Sequence, residues 1–177
     1  MKSNSTIVTY IRGEGVGPEV TKAAIEIIKE TGVPIEFVEV PAGEEAFKRY
    51  GSPLPNEVFE SIRTTKVAFK GPLTNPLGGG YESPNHLLRR KLGLYAGIRP
   101  IKSFSGVPAP YSNIDITVIM HNMEGPDAGI DRYLGNGDEL AEHISVVTKK
   151  AVERVLRFAF KYAQEQKRKL TLVHMAD

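Results

Sequence analysis

The feature that most constrains the fold is the alternation of extended and helical patterns over residues 6–69. Thr6–Arg12 (TIVTYIR) is rich in β-branched and aromatic residues and predicts a strand. A glycine turn follows, and apolar residues at helical spacing predict a helix to about Glu30. This alternation is typical of an open, mostly parallel α/β sheet with flanking helices, which binds ligands outside the carboxyl ends of its strands. The remaining predicted elements are strands at Ile35–Val40 and Thr65–Phe69, with short helices at Gly43–Tyr50 and Asn56–Arg63.

The stretch Lys70–Pro100 carries the residues with the most chemistry. A loop rich in glycine and proline (GPLTNPLGGG) leads into a helix-like segment with Arg89, and then into an extended run that presents Arg99. A guanidinium group binds a planar carboxylate at two points, and glycine permits close approach of the backbone. The pattern predicts a site for a small acid with several carboxylates; the alternative is a surface loop before a helix whose arginines pair with surface acids. The neutral donors of the predicted site are Thr74, Asn75, Ser83 and Asn85.

The rest of the chain predicts two strands and a long helix. Ile114–His121 and Leu170–His174 have the apolar, β-branched composition of strands. Asp138–Glu165 carries an apolar stripe at helical spacing and predicts one continuous helix, whose basic face we interpret as solvated. His121, His174 and Asp177 would form a metal site only if the two strands were adjacent, and nothing in their spacing requires this. We therefore predict no metal site.

Composition bounds the function classes. The chain has 177 residues, 23 basic and 21 acidic side chains, a net charge of +2 and no cysteine. The nearly balanced charge gives no strong attraction to nucleic acid or to an anionic membrane. No apolar run approaches the roughly 18 residues of a membrane helix, and the N-terminal residues lack the apolar region of a signal peptide. We expect a cytoplasmic protein without disulfides, thiolate metal sites, nucleic-acid partners or membrane partners.

Several segments resemble one family in content and order. They are GEGVGPE from Gly13, GPLTNPLGGG from Gly71, SPNHLLR from Ser83, KLGLYAGIRP from Lys91, DITVIMHNMEG from Asp115 and KLTLVH from Lys169. Together they resemble the isocitrate dehydrogenase and isopropylmalate dehydrogenase family, and the segment from Ser83 resembles the isocitrate branch. The glycine turn is not a dinucleotide fingerprint, because its third glycine comes one position too early for G-x-G-x-x-G. The resemblance covers nearly the whole chain but only about the first half of a typical member.

The resemblance implies roles for particular residues. It places substrate binding at Ser83, Asn85, Arg89 and Arg99, and it brings Thr74 and Asn75 to the nicotinamide cofactor. It also implies a large-domain-like α/β portion at residues 1–100, with a ligand loop at 70–90. Residues 101–177 would form a small-domain-like strand and long-helix portion with a dimerisation surface. NAD(P) and Mg²⁺ or Mn²⁺ are implied only by the family.

At the catalytic positions the chain departs from the family. The family's catalytic tyrosine would fall at Asp127, its catalytic lysine at Met175, and the asparagine partner of that lysine at Asp177. A third substrate arginine would fall at Met120. Loss of one positioned acid or base costs on the order of 10²–10⁴ in rate. We therefore predict no catalytic residue and expect a catalytically inactive homologue.

Two classes of function remain. The first is a half-length, isocitrate dehydrogenase-like protein that acts by association, as a homo-oligomer or as a regulatory subunit with a full-length dehydrogenase-like partner. The second, which does not exclude the first, is binding of a tricarboxylate such as isocitrate or citrate. The alternative is an NAD(P)-dependent, metal-requiring oxidative decarboxylation of isocitrate or a related 2-hydroxy acid, completed by a second half or a partner chain.

Overall fold

A computed structural model describes residues 5–75, 81–134 and 139–174 of the chain. For residues 126–131, 133 and 134 the description is limited to the backbone. The chain forms two compact units, Met1–Leu92 and Gly93–Asp177, and each is described by itself.

The first unit is a parallel sheet flanked by helices. Its strands pair in the order β2 (Ile35–Glu39), β1 (Thr6–Ile11), β3 (Ala68–Lys70), and both pairings are parallel. Thr9 of the central strand lies opposite Val38 on one side and Ala68 on the other. The prediction of an α/β fold with a parallel sheet is confirmed. The elements are β1 (Thr6–Ile11), α1 (Gly17–Glu30), β2 (Ile35–Glu39), α2 (Glu44–Tyr50), α3 (Asn56–Thr65), β3 (Ala68–Lys70) and α4 (Pro84–Leu92).

The core of this unit lies directly beneath the loop that follows β3. Ile11 at the end of β1 and Val58 on α3 are almost completely buried. Leu73 in the loop and Leu88 on α4 pack into the same cluster, so both flanks of the loop are held by apolar contacts. The buried Thr9 hydroxyl bonds the hydroxyls of Ser61 at 2.7 Å and Thr65 at 2.8 Å, which joins α3 to the sheet. The other members of the cluster are Val40, Leu54 and Phe59.

The second unit consists of two antiparallel ribbons and a helix. β4 (Ala96–Lys102) pairs with β5 (Asp115–His121), and β6 (Gly125–Leu134) pairs with β7 (Leu140–Val146). The helix α5 (Lys149–Glu165) contacts β5 and buries a stripe of Val155, Ala159 and Ala163. In the described part of the chain, no helix has both the length and the apolar composition needed to cross a membrane.

The prediction of one helix over Asp138–Glu165 is wrong in its first part. Leu140–Val146 is a strand, and the helix begins only at Lys149. The hydroxyl of Thr148 accepts a hydrogen bond from the Ala151 amide at 3.3 Å, and the Glu124 carboxylate accepts one from the Thr148 amide at 2.6 Å. These bonds define a helix start. A short apolar run does not distinguish strand from helix by periodicity alone, and here pairing with β6 decides it.

Two other predicted strands also differ from the structure. Residues 168–174 lie outside any strand, so the strand predicted at Leu170–His174 is not formed. Thr65 is the last residue of α3, and β3 begins only at Ala68. A strand depends on a neighbouring backbone for its hydrogen bonds, which composition alone does not supply.

The core predicts a large difference between two apolar truncations. Leu54→Ala removes a side chain that is 2% exposed and leaves a cavity, so the free energy of unfolding should fall by about 2–5 kcal/mol. Ile27→Ala, at a helix position that is 68% exposed, should change it by less than about 0.5 kcal/mol. Urea denaturation followed by circular dichroism measures both. Equal effects of the two substitutions would contradict the assigned core.

Candidate functional site

The candidate site lies at the carboxyl ends of β1 and β3. In the strand order β2-β1-β3, the chain goes from β1 to β2 on one side and then to β3 on the other side of β1, so the strand order reverses between β1 and β3. Open α/β sheets bind ligands at such a switch point, outside the carboxyl ends of the strands. The loops after the two strands touch: the Glu14 amide donates to the Pro72 carbonyl at 2.8 Å. Gly13 has φ +85°, and a Cβ at this position would lie 2.6 Å from the Pro72 oxygen. Only glycine therefore permits this approach.

Three of the predicted neutral residues form one hydrogen-bonded group. Ser83 Oγ donates to Asn75 Oδ1 at 2.6 Å. The Asn85 side-chain amide donates to the Leu73 carbonyl at 3.2 Å and to Asn75 Oδ1 at 3.4 Å. The start of α4 is thereby tied to the loop after β3. The sequence placed these residues in one site, and the structure brings them together.

Two cations lie beside this group. Arg89 is half-buried on α4, one turn after Asn85. Partial desolvation of the ammonium group, followed by the positive charge of Arg89, lowers the pKa of Lys70 from its ordinary value. The Lys70 ammonium donates to the Gly71 carbonyl at 2.7 Å. Among the described residues, no carboxylate forms an ion pair with Lys70 or Arg89.

The alternative prediction, that the helix arginines pair with surface acids, applies to Arg90. Arg90 is exposed and binds the Glu82 carboxylate at 2.6 Å. Its half-buried neighbour Arg89 forms no ion pair with a described residue. One turn of helix thus carries a structural arginine and a candidate binding arginine.

Lys70 is a member of the site that sequence reasoning missed. It ends a strand that leads straight into the glycine and proline loop, and this position was the signal that could have identified it. Its proximity to Arg89 depends on how α4 folds back over the sheet, which the local pattern does not contain.

The predicted substrate residue Arg99 lies on β4 in the second unit and is exposed. In the antiparallel register Arg99 is opposite Val118 and Gly97 is opposite Met120, so Arg99 and Met120 share one face of the ribbon. The thioether of Met120 adds no charge there, and Arg99 is the one cation among the β4 and β5 residues of that face between positions 97 and 101 and between 116 and 120.

The catalytic positions that the resemblance implies fall partly outside the described residues. Asp127 lies within β6, where the backbone alone is described, while Met175 and Asp177 are outside the described residues. His121 Nε2 is buried and has no hydrogen-bond partner among the described residues, and His174 is not on a strand. No group of three potential metal ligands occurs among the described residues.

The predicted cofactor residues are engaged by the protein itself. The Thr74 amide donates to the Glu14 carboxylate at 2.7 Å, and Asn75 Oδ1 accepts from Ser83. These two polar groups therefore already have partners within the protein, and we assign no chemical step to NAD(P) or to a metal. Cofactor contact by Thr74 and Asn75 stays a prediction.

Comparison with known proteins identifies the class. A model of the family described as isocitrate/isopropylmalate dehydrogenase matches residues 7–177. Mitochondrial isocitrate dehydrogenase [NAD] subunit 2 of Schizosaccharomyces pombe is 40% identical over 170 residues, which are 96% of this chain and 44% of that protein. Chloroplastic 3-isopropylmalate dehydrogenase of Solanum tuberosum is 36% identical, over 99% of this chain and 50% of that protein. The crystal structure of isocitrate dehydrogenase from Methylococcus capsulatus superposes with a TM-score of 0.87 at 42% identity, over 92% of this chain and 49% of that one.

The parallel sheet flanked by helices is a fold that the chain shares with this solved isocitrate dehydrogenase. The chain belongs to the isocitrate/isopropylmalate dehydrogenase family. It spans about half the length of the curated relatives that it matches.

The lowered pKa of Lys70 predicts a pH-dependent stability. The unfolded chain, in which the lysine titrates near 10.5, binds more protons than the folded chain once the pH passes the folded pKa. The free energy of unfolding should therefore rise with pH up to about 10.5, relative to a Lys70→Met variant, which lacks this titration. The gain should be below about 1 kcal/mol because the side chain keeps contact with solvent.

Urea denaturation of the wild type and Lys70→Met across this pH range measures the difference. Lys22→Met, on the exposed face of α1, controls for the change in net charge. If wild type and Lys70→Met show the same pH dependence, Lys70 is not desolvated beside Arg89.

Proposed function

We propose that this chain carries the acid-binding half of an isocitrate dehydrogenase-like site and binds a tricarboxylic acid such as isocitrate or citrate. The observation that carries the proposal is the proximity of Lys70 and Arg89, two cations with no carboxylate partner among the described residues. A polycarboxylate would supply the missing negative charge. The names of the matched relatives favour isocitrate over other acids of this type.

The electrostatics support an anion as the missing partner. Partial desolvation of the exposed Lys70 ammonium, followed by the charge of Arg89, lowers the pKa of Lys70, so both effects disfavour its charged form in the free protein. Ionisable groups with perturbed pKa values are typical of functional sites. The charge arrangement that binds a ligand is often not the one that is most stable in the free protein. A carboxylate between the two cations would remove the repulsion and form charge-assisted hydrogen bonds to both.

The neutral group supports an acid that also carries a hydroxyl. Ser83 and Asn85 lie at the start of α4, and Arg89 lies one turn further on. Residues four apart on a helix share a face, so Asn85 and Arg89 can contact one ligand. The Ser83 proton and the Asn85 amide protons are already donated within the protein, so the oxygens of these two side chains are left to accept a bond from a ligand hydroxyl while a carboxylate binds the cations. Substrate binding by Arg99 stays a prediction that rests on the resemblance.

We further propose that the chain binds this acid without converting it. The resemblance assigns the catalytic positions to Asp127 and Met175, and neither side chain reproduces a tyrosine acid and a lysine partner. A carboxylate at position 127 would repel an anionic substrate unless its proton were retained. A regulatory or sensing role follows from such binding.

Isothermal titration calorimetry with isocitrate and citrate tests the binding site. Arg89→Ala should weaken binding by roughly 10- to 150-fold, the equivalent of about 1.5–3 kcal/mol for a lost hydrogen bond to a charged group. Arg90→Ala makes the same chemical change at the next residue, which is paired with Glu82, and should leave the affinity within about twofold. Equal losses in both variants would indicate a general charge effect and would refute a site at Arg89.

A second candidate function follows from the half-length match to active dehydrogenases. In this proposal a second polypeptide supplies the other half of the fold, including the metal and cofactor groups, and the assembled protein oxidises and decarboxylates isocitrate. The test is NAD(P)H formation from isocitrate with Mg²⁺, by the protein purified with whatever chain accompanies it. Turnover by such a complex would favour the second function, and acid binding without turnover would favour the first.

A further inference from the structure

The Glu14 carboxylate joins three separate segments of the first unit. One oxygen accepts from the Glu44 amide at the start of α2 at 2.6 Å, and the other accepts from the Thr74 amide at 2.7 Å. The two oxygens thus have one backbone partner each. Glu14 is half-buried and forms no ion pair with another described residue, so its charge is balanced by backbone N–H groups.

The space for this carboxylate is provided by Gly43. This residue has φ +85°, a conformation that favours glycine, and a Cβ there would collide with the carboxyl group of Glu14. The peptide just before α2 is therefore shaped around the carboxylate. Glu14 supplies the carboxylate and Gly43 supplies the space for it, so both partners are adapted to this contact.

The Thr74 amide is next in the chain to the centre of the acid-binding group. Asn75 Oδ1 accepts from Ser83 and from Asn85, so the position of Asn75 determines where both donors lie. Glu14 holds the peptide that leads into Asn75. After the loop, the Tyr81 ring packs on Phe47 of α2 with a centroid distance of 4.6 Å. The residues before the loop are thus linked to the start of α2 through Glu14, and Tyr81 after the loop contacts α2 directly.

We propose that Glu14 is a positioning residue for the acid-binding site: its carboxylate holds the loop at Thr74 so that Asn75 orients Ser83 and Asn85 toward the ligand. This rests on the proposed function. Glu14 does not touch the acid. Its effect on affinity passes through the backbone at Thr74 and the side chain of Asn75.

The substitution that isolates this role is Glu14→Gln, which keeps the shape of the side chain. One of the two oxygens becomes an NH₂ group, so a donor then faces a backbone donor and one of the two bonds is lost. Isocitrate binding measured by calorimetry should weaken about tenfold. Glu45→Gln makes the same change on α2, at an exposed side chain whose partner is Arg12 at 3.4 Å, and should leave the affinity within about twofold.

A double-mutant cycle with Asn75→Ala separates positioning from general stabilisation. If Glu14 acts through Asn75, Glu14→Gln should weaken binding less than twofold in the Asn75→Ala background. A residue that merely stabilised the fold would weaken binding equally in both backgrounds, and that result would overturn the proposal. Should the glutamine variant not fold, Glu14→Asp, which keeps the charge but withdraws the oxygens by one methylene, replaces it in the same cycle.

The outcomes distinguish this inference from the proposed function. Wild-type protein that binds no isocitrate or citrate refutes the acid site, and the positioning role with it. Wild-type protein that binds, together with a Glu14→Gln variant of unchanged affinity, overturns the positioning role alone. Weakened binding that depends on Asn75 supports both.

Discussion

The structure of the first unit depends on the parallel pairing of β1 with a neighbour on each side. Because all three strands run in one direction, the loops after β1 and β3 leave the sheet at the same edge and side by side. Their backbones come within hydrogen-bond distance at Glu14 and Pro72. Everything that distinguishes the candidate site is arranged around this contact: the glycine that permits it, the carboxylate that ties it to α2, and the donors that it places.

Two positive charges act on each other near this edge of the sheet. Lys70 at the end of β3 is exposed, and partial desolvation of its ammonium group, followed by the charge of Arg89, lowers its pKa. The hydrogen bonds of Asn75 use neutral groups, so they hold the loop without neutralising either cation. The core under the loop, with Ile11, Leu73 and Leu88 buried, holds the same segments by apolar contacts.

Sequence reasoning named those residues of the candidate site that lie close together in the chain. The start of α4 carries Ser83 and Asn85, with Arg89 one turn later, and Asn75 lies in the loop before the helix. All four residues therefore fall within one short stretch of sequence. Lys70 was missed although it lies in the same stretch, because its significance depends on a neighbour across the fold. Glu14 entered only as part of the segment GEGVGPE that resembles the family, and its contact with Thr74 spans 60 positions of sequence. No local pattern encodes such a contact.

The sequence by itself determined the α/β class, the elements of the first unit and the family, because strand and helix periodicities and ordered motifs are local properties of the chain. Tertiary structure decided the rest. It made Leu140–Val146 a strand by pairing it with β6, and it left residues 168–174 without strand structure. It also distinguished two neighbouring arginines: Arg90 pairs with the Glu82 carboxylate, whereas the positive charge of Arg89 acts on Lys70. The physical reason is common to all three: strand hydrogen bonds and charge interactions are completed by groups that are distant in the chain, and only folding brings those groups together.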